Sequence, residues 1–249
     1  MSRFDSRTTA FSSTGHLNQV EYALSAITKS SPVISVKCTD GVIICCSRKI
    51  VSKLLNVESK YRTTMIDDHI MISFAGMVSD ATDLINDARL TSQRHLYKFQ
   101  TPILVESLVR SVADEKHSYT QFGGLRPYGV TFVYAGHDEA RGFQLFTSDP
   151  SGNYKSWKAT AFGKRDSTAI AQLREGYKED MDLEAGLKLI MDVYSKVVDT
   201  TELKSEKIEI AVLTKNEYDQ CVQRQLSTEE IDELLSVIVD EGEKAEANE

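Results

Sequence analysis

The sequence predicts an α+β sandwich of four layers, α-β-β-α, built from two antiparallel sheets. Three observations predict it. Alternating apolar strands come in groups joined by turn residues, predicted helices arrive in pairs between those groups, and no stretch rich in Pro, Gly or Ser divides the 249 residues. Strands joined by hairpins and covered by paired helices give sheet-on-sheet packing with helical outer layers, not a parallel βαβ sheet. Residues 1–249 are therefore read as one domain.

The elements follow in order. Residues 1–16 are polar, and Leu17, Val20, Ala23, Leu24 and Ile27 then recur at helical spacing, so a short amphipathic helix is expected over residues 17–29, before Ser30-Ser31-Pro32 stops it. Ile34, Val36 and Cys38 alternate with polar residues, Asp40-Gly41 signals a hairpin, and Val42 to Cys46 is continuously apolar, as in a strand buried on both faces. Ile70, Ile72 and Phe74 mark a further strand closed by Ala75-Gly76. The period then changes. Ala81, Leu84, Ile85, Ala88, Leu96 and Phe99 suit one helix, and Val105, Leu108, Val109, Val112 and Ala113 suit a second after Pro102. Strands return at residues 130–135, 143–147 and 154–161, with Asp149 to Asn153 as the turn between the last two. Helices over about residues 167–178 and 183–198, a strand at Ile208, Ile210 and Val212, and a final helix over residues 227–239 complete the order. Ser227 and Glu230 have capping-box spacing at the start of that last helix.

Composition excludes several classes. Apolar residues at 41%, charged residues at 27% and only 4 Pro exclude a disordered or low-complexity chain. No apolar run approaches the roughly 18 residues of a membrane span, and residues 1–13 lack the apolar core of a signal peptide, so a cytosolic or nuclear protein is expected. A net charge of −8 is unfavourable for a phosphate-backbone partner, so no nucleic-acid or membrane partner is expected. Asp240 to Glu249 holds five acids and one Lys and reads as a solvated acidic tail.

No motif for cofactor chemistry emerges. Cys38, Cys45, Cys46 and Cys221 lack metal-ligand spacing, the five His are scattered, and no Gly-rich phosphate loop is present, so neither a metal nor another cofactor is expected. Asp67-Asp68-His69 reads as a solvated strand entrance, and Ser79 as a helix N-cap. Gly123-Gly124 with Arg126-Pro127-Tyr128-Gly129 reads as a loop with a demanding backbone path.

Longer motifs carry a resemblance. The run Phe4-Asp5-Ser6-Arg7-Thr8-Thr9-Ala10-Phe11-Ser12, then Gly15, Leu17 and Gln19-Val20-Glu21-Tyr22-Ala23, resembles the N-terminal signature of proteasome alpha subunits. Tyr119 to Gly124, Arg126 to Val130, and Ser148 to Tyr154 with Trp157-Lys158-Ala159 resemble further motifs of that family. Ser6, together with Ser205 to Ala211, is most similar to the eukaryotic alpha-type 4 group. The resemblance implies the fold of N-terminal nucleophile hydrolases, which agrees with the element order.

It also implies a function. Catalytic beta subunits use an N-terminal Thr whose free amine acts as base, helped by an Asp and a Lys. Aligned on Gly41 and Gly76, those positions fall on Ser31, Ser47 and Arg62. Ser31 lies inside the chain, Ser47 has no carboxylate, and a guanidinium does not give up its proton near neutral pH. A non-catalytic alpha subunit is therefore expected, placed in a seven-membered alpha ring against beta-ring subunits and met by a regulatory particle or other activators. Residues 1–16 would form the gate segment over the pore. Of the family's gate cluster Asp5 and Tyr22 match, while Phe4 stands for a Tyr and Ser13 for a Pro. Arg62, with Lys60 as the alternative, matches the Lys that pairs with an activator's terminal carboxylate. The rival expectation is an enzyme that cleaves itself between Ser30 and Ser31 and uses Ser31 as nucleophile.

Overall fold

A computed structural model describes residues 9–48, 52, 54, 62–198 and 203–246. Strands β1 (Val33–Lys37), β2 (Gly41–Ser47), β8 (Ala159–Phe162), β9 (Ile208–Lys215) and β10 (Cys221–Gln225) form one sheet in the order β10-β9-β2-β1-β8. Strands β3 (Thr64–Asp67), β4 (Ile70–Gly76), β5 (Val130–Asp138), β6 (Gly142–Ser148) and β7 (Tyr154–Ser156) form the second, in the order β3-β4-β5-β6-β7. Every strand pair is antiparallel.

Three apolar layers hold the sandwich. Between the sheets, Val42, Ile44, Ala211 and Leu213 meet Met71, Ala75, Val133 and Leu145. Helices α2 (Val78–Phe99) and α3 (Val105–Gln121) cover the second sheet through Leu84, Ile85, Leu108 and Val109. Helices α4 (Asp166–Gly176), α5 (Leu183–Val197) and α6 (Thr228–Glu246) cover the first through Leu173, Ile190, Tyr194 and Ile231. Each Val, Leu, Ile or Met side chain buried in this way contributes about 1.5–3 kcal/mol. The predicted four layers are those observed.

Local chemistry explains several starts and turns. At α6, the Ser227 hydroxyl accepts the Glu230 N–H at 3.2 Å and the Glu230 carboxylate accepts the Ser227 N–H at 2.8 Å, the expected capping box. Helix α5 starts on Asp182, whose carboxylate accepts the Ala185 N–H at 2.9 Å. Helix α1 (Asn18–Ile27) buries Val20 and Ile27 but leaves Tyr22 54% and Leu24 37% exposed.

Other expectations are corrected. The β1–β2 loop residues are Thr39 and Asp40, with the Cys38 N–H donating to the Gly41 carbonyl at 2.8 Å. Gly41 belongs to β2, where a Cβ would stand 2.6 Å from the Leu213 carbonyl oxygen of β9. The strand expected over 154–161 is two strands in different sheets, because the chain crosses from one sheet to the other at Trp157 and Lys158. Ser79 is not an N-cap: α2 starts after Met77, and the Ser79 hydroxyl donates to Asp80 at 3.3 Å. Leu96 and Phe99, expected on the apolar face of α2, are exposed. Asp68 and His69 form the β3–β4 turn that leads into β4, while Asp67 ends β3 and its carboxylate accepts the Ser92 hydroxyl. Helix α6 continues past Val239 to Glu246, so the acidic stretch begins as helix.

Candidate functional site

Three segments converge where β2 ends, β3 begins and β9 starts. Arg62 and Thr63 lead into β3, Ser47 and Arg48 leave β2, and Glu209 is the second residue of β9. The Glu209 carboxylate, 1% exposed, accepts the Arg62 N–H with both oxygens at 3.1 and 3.0 Å and the Thr63 N–H at 2.8 Å. Arg48 brings its Nε within 4.0 Å of the same carboxylate. The Arg62 guanidinium donates to the Ser47 carbonyl at 3.3 Å and the Phe74 carbonyl at 2.6 Å. It also stands 5.5 Å from the centre of the Phe74 ring. One side chain thus ties β2 of the first sheet to β4 of the second.

Ser47 presents its main-chain carbonyl, not a carboxylate, to Arg62. Burial pushes the Cys46 thiol up to about 12, with Glu209 adding to the rise, and pushes Cys45 well above its ordinary value. Neither is a nucleophile at neutral pH. Ser31 lies inside the chain just before β1, its nitrogen in a peptide bond. The neighbouring Ser30 carbonyl accepts the Lys164 N–H at 2.9 Å, and a Cβ on Gly163 would stand 2.8 Å from the Ser31 carbonyl oxygen. The arrangement suits an anion through the guanidinium, and the Glu209 carboxylate beside it is taken up by the Arg62 and Thr63 N–H groups. Among the described residues no group of three His, Cys, Asp or Glu side chains is placed to hold a metal ion.

A profile of the family described as "Proteasome subunit" matches residues 27–213. The chain belongs to the proteasome subunit family. A spinach (Spinacia oleracea) relative, "Proteasome subunit alpha type-4", is 49% identical over 210 residues, covering 84% of each chain. The Petunia hybrida protein of the same name is 45% identical over 231 residues, 91% of this chain and 93% of the relative. A Dictyostelium discoideum "Proteasome subunit alpha type-4" is 43% identical over 236 residues, 94% of each. In this proteasome-family chain the aligned positions Ser47 and Arg62 are in contact, and Ser31 is joined to them through Pro32, whose carbonyl accepts the Ser47 N–H at 3.3 Å.

The expected gate residues are only partly visible. Phe4 and Asp5, and the docking alternative Lys60, lie outside the described residues. Tyr22 is on the exposed face of α1. Ser13, where the family pattern has Pro, sits in a turn closed by its neighbour: the Ser12 hydroxyl accepts the His16 N–H at 3.0 Å and Gly15 adopts φ +81°.

The alternation of Ile208, Ile210 and Val212 marks β9 in the sequence but gives no role to Glu209 between them. The opposite face, Ala211 and Leu213, is apolar too, and a carboxylate in line with it was the available signal of a buried charge with designated partners.

Proposed function

We propose that this chain is a non-catalytic alpha-type subunit of the proteasome core particle, of the alpha type-4 kind, that builds the alpha ring, gates substrate entry and docks activators. The observation that carries the reading is Arg62 bonded to the Ser47 and Phe74 carbonyls. A guanidinium fixed there, with no carboxylate from Ser47, leaves the position of a catalytic Lys without a titratable amine.

Exposed apolar surface supports assembly into a ring between two kinds of neighbour. Phe11, Tyr22 and Leu24 are open near the N-terminus, Leu90, Tyr97 and Phe99 on α2, and Phe122 and Leu125 in the loop after α3. Scattered over three regions, these side chains match a protein with several partner surfaces. In this reading residues 1–16 close the pore, with Phe4, Asp5 and Tyr22 in the gate, and Arg62, with Lys60 near it in sequence, receives the terminal carboxylate of an activator. The particle works in cytoplasm and nucleus.

Native mass spectrometry of the tagged endogenous protein tests this. The expected result is an intact chain in a complex with other alpha and with beta subunits. A chain that begins at Ser31, or one found without beta partners, overturns it.

A further inference from the structure

We infer that Glu209 is the positioning residue of the Arg62 site, holding the main chain at Arg62 and Thr63 so that the guanidinium faces an incoming carboxylate with its charge unspent. The inference rests on the docking role of Arg62 proposed above.

Glu209 sits on a face of β9 otherwise occupied by Ala211 and Leu213, where packing alone would favour an apolar side chain. Its carboxylate is instead spent on two main-chain N–H groups that lie just outside the β3 ladder, which begins at Thr64. Without it those donors would be buried with no strand to pair them. The segment is thereby fixed to the first sheet while its side chain reaches the second.

The charge arrangement matters equally. Both acceptors of the Arg62 guanidinium are neutral carbonyls, and Glu209 meets Arg62 at the main chain, while its ion-pair contact is with Arg48 at 4.0 Å. Among the described residues, the guanidinium is therefore oriented by its surroundings without being neutralised by a direct carboxylate partner. These contacts use two of its N–H groups, and a guanidinium has about five, enough left for a two-point grip on a terminal carboxylate. Glu209 does not touch the ligand in this scheme.

The test uses assembled particles of matching subunit composition that carry wild-type, Arg62→Ala or Glu209→Gln chains. The probe is a synthetic heptapeptide with a photo-reactive residue near its end, made with a free C-terminal carboxylate or as the amide, and the readout is adduct mass on this chain. Wild type is expected to prefer the carboxylate at least tenfold, Arg62→Ala to lose the preference, and Glu209→Gln to retain about twofold or less. Full preference in Glu209→Gln overturns the inference and leaves the docking role standing. No preference in wild type overturns the docking role itself. If the Gln variant does not enter particles, Glu209→Asp decides: its charge is kept but its reach is one methylene shorter, so the same loss is expected, and full preference overturns the inference.

Discussion

Asp80 and Arg126 close a bidentate ion pair, with guanidinium nitrogens 2.6 and 2.7 Å from the two carboxylate oxygens, and the Gly129 N–H donates to the same carboxylate at 2.9 Å. The pair ties the first turn of α2 to the loop of residues 122–129, whose Phe122 and Leu125 remain exposed. The Arg-Pro-Tyr-Gly stretch thus owes its backbone path to one carboxylate 46 residues earlier in the chain.

Removing that carboxylate should loosen the loop and lower stability. The Arg126 hydrogen bond, followed by the Gly129 N–H, holds the Asp80 carboxyl below the usual carboxylate range against the opposing effect of burial. A depressed folded value stabilises above the unfolded value of about 4 and is lost as pH falls through the folded one. Hydrogen bonds to a charged group contribute about 1.5–3 kcal/mol, and the exposure of Arg126 argues for the lower half of that range. Asp80→Asn is expected to lower Tm by about 4–8 °C at pH 7, with the gap closing below about pH 4. Equal melting of both proteins at pH 7 would show that the pair holds nothing.

Lys116 is a second buried charge position. Fully buried, its Nζ donates to the Val130 carbonyl, the Ser148 carbonyl and the Ser148 hydroxyl at 3.0, 3.0 and 2.9 Å, and lies 4.4 Å from the centre of the Phe132 ring. Burial pushes its pKa well below the ordinary lysine value, with Asp149 opposing the fall. The folded state therefore binds this proton less tightly than the unfolded chain, so the contribution of Lys116 to stability rises with pH up to about 10. Lys116→Met should cost about 2–4 kcal/mol, because three acceptors lose their donor. Urea titrations of both proteins from pH 7 to 10 should show the wild-type advantage growing, and a constant difference would refute the linkage.

The same two residues show where the sequence is readable. Periodicity places Leu84, Leu108 and Ile210 in the core because one-faced burial leaves a repeating signal, and all three are buried. Asp80, Lys116 and Glu209 carry no such signal. Each is a charge placed within an apolar pattern, and its partners, Arg126, Ser148 and Thr63, lie far away in the chain, so only the folded topology pairs them. Strand β10 and the crossing at Trp157 that separates β7 from β8 escaped for a related reason: on a sheet edge half open to solvent, Cys-Val-Gln-Arg-Gln shows no alternation of apolar and polar residues. For the site, the motifs single out Ser47 and Arg62, which the fold brings into contact, whereas the carboxylate behind Arg62 has no motif.

Gly76 should tolerate no side chain. It ends β4 with φ +124°, and a Cβ there would stand 2.1 Å from the Gly129 carbonyl oxygen, the acceptor of the Met77 N–H at 2.9 Å. Both neighbours are backbone and neither can swing away. Gly76→Ala combines left-handed strain with a steric clash and is expected to cost about 3 kcal/mol or more. Gly142→Ala is the comparison, since nothing lies within 4 Å of its Cβ position and only its φ of +68° opposes the change. Urea midpoints should rank wild type, Gly142→Ala and Gly76→Ala in that order, and equal midpoints for the two variants would remove the clash argument.

Deleting residues 1–12 tests the gate reading with little risk to the fold. Of this segment Thr9 to Ser12 are described and none is buried, whereas the core begins at Val20 in α1. The deletion removes the Ser12 hydroxyl that accepts the His16 N–H, but α1 keeps Val20 and Ile27 against the body of the protein. A polar segment with little to bury moves between ordered and disordered states at small free-energy cost, which is what a gate requires. Particles assembled with the truncated chain are therefore expected to hydrolyse a short fluorogenic peptide several-fold faster than wild type, with the KM of the peptide changed less than kcat, because entry and not binding is relieved. Hydrolysis at the wild-type rate by fully assembled truncated particles would mean that this chain's N-terminus does not obstruct the pore.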